Sequence, residues 1–141
     1  MKYRWIRGFV LVLFVMVLSA CGGSGASSGS QQVPVTETDF KITSSVTSFI
    51  PGTSYHFVVT NNGHTAHEFM IMPKAERSMS GMPMGNMDSM ALAKVDNIAP
   101  GQTKTVDYTF PSSAAGSHPQ FACYYPGHYE AGMKLDVTVN S

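Results

Sequence analysis

Three side chains that bind soft metals stand at even spacing near the C-terminus: Cys123, His128 and Met133, a C-x4-H-x4-M run inside FACYYPGHYEAGM. Thiolate, imidazole and thioether thus share one loop containing Gly and Pro. A fourth candidate, His67, lies far upstream at the head of HEFMIM, just after Asn61-Asn62-Gly63. Two imidazoles and one thiolate in a plane, with a weak axial thioether, form the donor set of an electron-transfer copper site. Taken singly, each residue has a plainer explanation: Cys123 as a small buried hydrophobe, Met133 as a core gap-filler, His128 as a surface histidine. Their joint spacing points to a metal. Four protein donors leave no open position for a substrate, so no enzyme is expected.

Such donors need a stiff scaffold, and the periodicity is that of strands. Tyr55-His56-Phe57-Val58-Val59-Thr60 is aromatic and β-branched, bounded by Pro51-Gly52 and Asn61-Asn62-Gly63. Glu68–Met72 ends at Pro73, and Lys104–Phe110 alternates polar with apolar between Pro100-Gly101 and Pro111. Lys134–Val139 alternates likewise. With weaker segments at Val33–Ile42, Val46–Phe49, Leu92–Ile98 and Ser117–Tyr124, about seven or eight short strands are expected, arranged as an all-β antiparallel sandwich.

On these residues the chain resembles the cupredoxins, the family of plastocyanin, azurin and rusticyanin. The family's N-x-G-x-x-x-H-E-F pattern falls on Asn61 or Asn62, Gly63 and His67-Glu68-Phe69, and its Cys-His-Met order falls on Cys123, His128 and Met133. The likeness spans roughly residues 35–140, with a ligand loop spaced like that of rusticyanin. It implies a Greek-key β-sandwich with one type 1 copper ion held by His67, Cys123, His128 and Met133. It also implies a shuttle between Cu(II) and Cu(I), and a redox partner protein, of cytochrome or oxidase type, docking at the edge of His128 among Tyr124, Tyr125, Pro126 and Tyr129.

Residues 74–91 do not fit a strand pattern. Met79, Met82, Met84, Met87 and Met90 recur every two or three residues around Gly81, Pro83 and Gly85, with a short helix expected from an Asn86 cap to Lys94. Two readings stand: a flexible apolar lid, or a secondary Cu(I) site that would make the protein a copper chaperone, buffer or resistance protein. His56 reads as a cross-strand or solvent-facing residue. His64 and His118 have no ligand position in the motif, and Glu68 and Glu130 read as surface or hydrogen-bonding carboxylates.

Of 141 residues, 10 are Met, 5 His and 2 Cys, with 9 basic against 9 acidic side chains. No basic cluster exists beyond the first seven residues, so no nucleic-acid partner is expected. Lys2, Arg4 and Arg7 precede an apolar run from Gly8 to Leu18, and Leu18-Ser19-Ala20-Cys21 resembles a bacterial lipobox. The expectation is a signal peptide over 1–20, a lipidated Cys21 heading a Gly/Ser tether over 21–32, and a folded domain over 33–141. Loss of the leader removes three basic residues, leaving 6 basic and 9 acidic, a net of −3. The predicted product is a monomeric domain outside the cytoplasm, periplasmic or on the outer cell surface, held to a membrane by the lipid on Cys21. Cys123 then has no partner thiol, and a free thiol in that compartment must be bound or buried.

Overall fold

The alternating segments form strands because their β-branched and aromatic residues fall on every second position and so share one face of the pleat. The computed structural model describes residues 29–73 and 84–141. The expected leader, Cys21, the tether up to residue 28, Met79, Met82 and the side chain of Met84 lie outside them. One sheet holds β1 (Gln31–Thr38), β2 (Lys41–Ser44), β4 (Ser54–Asn61) and β7 (Thr103–Thr109), in the order β2-β1-β4-β7. The other holds β5 (His67–Met72), β6 (Ala93–Ile98), β8 (Gln120–Ala122) and β9 (Lys134–Asp136), in the order β6-β5-β8-β9. Two short strands, β3 (Ser48–Phe49) and β10 (Thr138–Val139), pair with each other.

The sandwich is mixed rather than purely antiparallel. Strands β1 and β4 run parallel, as do β3 and β10. Parallel neighbours need a crossover between them, which β2 and β3 supply here. The single strand expected over 33–42 is a hairpin broken at Asp39-Phe40, with Thr38 opposite Lys41. Strand β1 starts at Gln31, inside the expected tether, where Gln31 and Gln32 pair with Tyr55 and His56. Helix α1 covers only Met84–Met90, and Lys94 belongs to β6. Main-chain pairing wins there: the Leu92 N–H donates to the Ile71 carbonyl at 2.8 Å and draws the chain back to the sheet.

Between the sheets, inward positions fill one core. Phe49, Phe57, Phe69, Phe110 and Phe121 are fully buried, with ring centroids 5.0 Å apart for Phe69–Phe121 and 5.1 Å for Phe49–Phe110. Burying each such side chain contributes about 2–3 kcal/mol. All six residues of β5 are buried because both its faces are covered. Phe69 and Ile71 enter this core, whereas Met70 and Met72 pack outward against Met87 of α1, Ala122 and Tyr124. A seven-residue helix is unstable by itself, so burial of Met87 is what anchors α1.

At the Asn61 end of the core sits an unexpected group, Glu37. It follows Val33 and Val35 on the inward face of β1, is wholly buried, and neither carboxyl oxygen has a hydrogen-bond partner. Burial, with added repulsion from Glu68, pushes its pKa up to about 8. In the unfolded chain Glu37 ionises near its ordinary 4.5, so between these values the folded state holds one proton more. Stability should therefore fall as pH rises through that window, by about 3 kcal/mol at pH 7. Glu37→Gln should abolish this decline. Denaturant unfolding of the two proteins compared between about pH 5 and pH 8 checks it; parallel stability curves would contradict a buried neutral carboxyl.

Candidate metal centre

His67 opens β5, Cys123 directly follows β8, and Met133 directly precedes β9, so adjacent strands of one sheet carry the four predicted ligands or end in the loop that does. The donor atoms of His67, Cys123 and His128 all lie within 4.8 Å of one another. His67 Nδ1 is 3.2 Å from His128 Nδ1, and the latter is 3.5 Å from Cys123 Sγ. Met133 is wholly buried in the same cluster as Cys123. Two imidazole nitrogens so close must share a proton or an ion.

The loop is held by its own backbone. The Cys123 N–H donates to the Met133 carbonyl at 3.2 Å, Met133 N–H to the His128 carbonyl at 3.0 Å, and His128 N–H to the Tyr125 carbonyl at 2.9 Å. On the other side, Asn61 fixes the segment that leads into His67. Its Nδ2 donates to the carbonyls of Thr65 and Ile98 at 2.8 and 2.7 Å, and its Oδ1 accepts from the Gly63 N–H at 2.8 Å. Of the two candidate asparagines in the motif, Asn61 does this work.

Glu68 is not a surface residue. It is 1% exposed, and its Oε1 accepts the Tyr124 N–H at 2.8 Å, clipping the residue after His67 to the residue after Cys123. Burial raises its pKa, and the Tyr124 N–H opposes that rise. Desolvation also pushes the Cys123 thiol up to about 12, against the lowering effect of backbone N–H groups from Glu68 and Tyr125. His67 is pushed down, first by burial and then by repulsion from His128, which keeps it in the neutral form that ligates.

Sequence reasoning missed Asp39. From the β1–β2 turn its carboxylate accepts the His64 N–H at 3.0 Å and contacts His64 Nδ1 at 2.8 Å, Thr65 Oγ1 at 3.3 Å and His67 Nε2 at 3.6 Å. Only a hairpin break between Thr38 and Lys41 could have signalled it. His64 is therefore a partner of Asp39, and His56 pairs with Asp107 across β4 and β7 at 2.6 Å. His118 is exposed, and among the described residues no contact ties it to the site. Of the proposed secondary methionines, Met87 is buried with Met70 and Met72, and Met90 is 40% exposed. A second convergence, Glu68 with Asp88 and Asp96, already has a cation: Lys94 Nζ lies 3.0 Å from Asp88 and 3.1 Å from Asp96.

Soft sulfur donors beside two imidazoles, with His67, Cys123 and Met133 buried, fit copper rather than a hard cation. No protein-family model matches the chain. It is 34% identical over 90 residues to the copper-resistant cuproprotein CopI of Rubrivivax gelatinosus, covering 62% of this chain and 53% of that protein. It is 35% identical over 91 residues to the CopI of Vibrio cholerae, covering 62% and 51%. The chain thus spans about half the length of these curated relatives. Among solved structures, it superposes on reduced auracyanin from Roseiflexus castenholzii with a TM-score of 0.63 at 19% identity, covering 79% of this chain and 98% of that one. Auracyanin A, a "blue" copper protein of Chloroflexus aurantiacus, matches with a TM-score of 0.59 at 21% identity, covering 79% and 100%. The chain has the cupredoxin fold, and His67, Cys123, His128 and Met133 are positioned like a type 1 copper site.

Proposed function

We propose that the protein is a one-electron carrier that works outside the cytoplasm, anchored through lipid on Cys21, with His67, Cys123 and His128 as the strong copper ligands and Met133 as the axial one. The observation that carries this reading is the buried convergence of three donor atoms within 4.8 Å on a loop knitted by its own backbone. Copper bound there would accept and return a single electron. Thiolate and thioether favour the reduced ion, imidazole serves both states, and a pre-set cage needs little rearrangement between them. Among the three converging donors, His128 is the one that is not fully buried. Its ring meets Phe40 edge-on at 5.6 Å and lies 6.0 Å from Tyr125, and Phe40 is half exposed; these contacts support the reading of this rim as the docking face for a redox partner. No role as an enzyme is proposed.

A second reading is copper handling in resistance. It draws on the names of the two relatives, copper-resistant cuproproteins, and on the packing of three thioethers, Met70 and Met72 of β5 with Met87 of α1. The two readings differ in stoichiometry. A carrier should take up one Cu(I) per chain, whereas a handling protein should take up more and lose the excess when Met79, Met82, Met84, Met87 and Met90 are changed to Leu. A Cu(I) titration that saturates at one equivalent sinks the second reading.

The copper-loaded protein should show an intense visible thiolate-to-copper absorption, absent in Cys123→Ser, and Met133→Leu should keep copper and raise its reduction potential. Optical spectra, paramagnetic resonance and voltammetry read all three; a colourless Cu(II) complex would end the electron-carrier reading. Because the Cys123 proton must leave, copper uptake should release a proton, and apparent affinity should rise about tenfold per pH unit across neutrality. Binding titrations in buffers of different ionisation enthalpy test this, and uptake without proton release would mean that Cys123 is not the ligand.

A further inference from the structure

The Asp39-Phe40 turn touches both ligand histidines. Asp39 Oδ1 is 3.6 Å from Nε2 of His67, a charge–dipole contact slightly longer than a formed hydrogen bond. That Nε2 is buried and has no hydrogen-bond partner, so Asp39 is the acceptor it faces. Gly63 lies against the pair: a Cβ there would come 2.6 Å from Asp39 Oδ1 and 2.9 Å from His67 Nε2. Glycine at this position is what lets carboxylate and imidazole approach. Next door, Phe40 has φ 64, a left-handed conformation that is unfavourable for a bulky residue and persists only where its surroundings impose it. What it gains is the edge contact to His128.

We propose that Asp39 is the positioning residue of the metal centre: its carboxylate selects the Nε2–H tautomer of His67, leaving the Nδ1 lone pair aimed at His128 and Cys123, and its charge favours the oxidised ion. Which imidazole nitrogen carries hydrogen is set by the partner of the other nitrogen, and the carboxylate partner makes the ligand more basic. The carboxylate is held in place by the N–H groups of His64 and Thr65, from which it accepts at 3.0 and 3.4 Å. The part of this proposal that concerns the oxidised ion rests on the copper reading above; the tautomer does not.

Nitrogen-15 NMR of the copper-free protein provides the first test. Wild type should show His67 as the Nε2–H tautomer, whereas Asp39→Asn, which removes the charge and keeps the shape, should show a mixture. In the loaded protein, D39N should bind Cu(II) 10–100-fold more weakly, as is usual when an outer partner of a ligand is lost. If Cu(I) affinity is unchanged, the potential rises by 59 mV per tenfold. Gly63→Ala, which forces the pair apart, should move tautomer and potential the same way and supplies the answer if D39N does not fold. Thr65→Ala, which removes one donor to Asp39 and nothing from His67, should leave both readouts at wild-type values. A single Nε2–H tautomer in D39N or G63A, with Cu(II) affinity within twofold of wild type, overturns the proposal. A colourless Cu(II) complex with the expected tautomer shift would instead fault the electron-carrier reading alone.

Discussion

The clip between Glu68 and the Tyr124 N–H, 2.8 Å long and out of water, fixes the distance between two segments that are 56 residues apart in the chain. His67 precedes Glu68, and Cys123 precedes Tyr124. Pairing of β5 with β8, with Met70 opposite Ala122 and Met72 opposite Gln120, sets the register, and the carboxylate extends that register past the end of the ladder to the two ligands. A buried acceptor paired with a buried backbone donor is costly to break, because losing either partner leaves the other desolvated. Everything else at the site is arranged around this fixed pair: Asn61 fixes the approach to His67, and the backbone bonds within 123–133 bring His128 and Met133 to Cys123.

Fixing soft ligands in a dry site has an electrostatic consequence. Burial disfavours charge on three groups at this end of the core: the Cys123 thiol is pushed to about 12 and Glu37 to about 8, so both keep their protons, while His67 is pushed down and gives its proton up. Each of these shifts has desolvation as its largest cause. A soft cation reverses that balance, since it turns a thiol that resists ionisation into a ligand and offsets nearby carboxyl groups. The pocket is therefore arranged around a positive charge that its own side chains do not supply. Glu37, with both oxygens unpartnered, is the clearest residue of that arrangement.

How much of this is legible in the sequence follows from the range of each interaction. The C-x4-H-x4-M loop and the head of β5 are local patterns, and alternation in Tyr55–Thr60 and Lys104–Phe110 reports the pleat directly, so ligands and sandwich could be read. Parallel pairing of β1 with β4 could not, because alternation is the same for either strand direction. Asp39 lies 28 residues from His67 and looks like any polar turn residue; only the fold brings it to Nε2. Glu68 and Glu37 were hidden for the opposite reason, since carboxylates are mostly exposed and their burial here is the exception. Met87 illustrates tertiary override: spacing groups it with Met79–Met90, whereas packing groups it with Met70 and Met72.

That regrouping bears on how one domain could serve both an electron and an ion. Strand β5 presents Phe69 and Ile71 to the core and Met70 and Met72 to α1, so His67, in step with Phe69 and Ile71, lies on the opposite face of the strand from these two buried thioethers. Tyr124 joins the two faces: its backbone continues from Cys123, while its ring lies among the methionines and stacks on Tyr129 at 4.6 Å and 12°. A thioether cluster used for ion capture would have to open where α1 covers it, and α1 is a short helix held chiefly by Met87. Met87 is 2% exposed, so the thioethers of this cluster are covered by the helix that carries one of them.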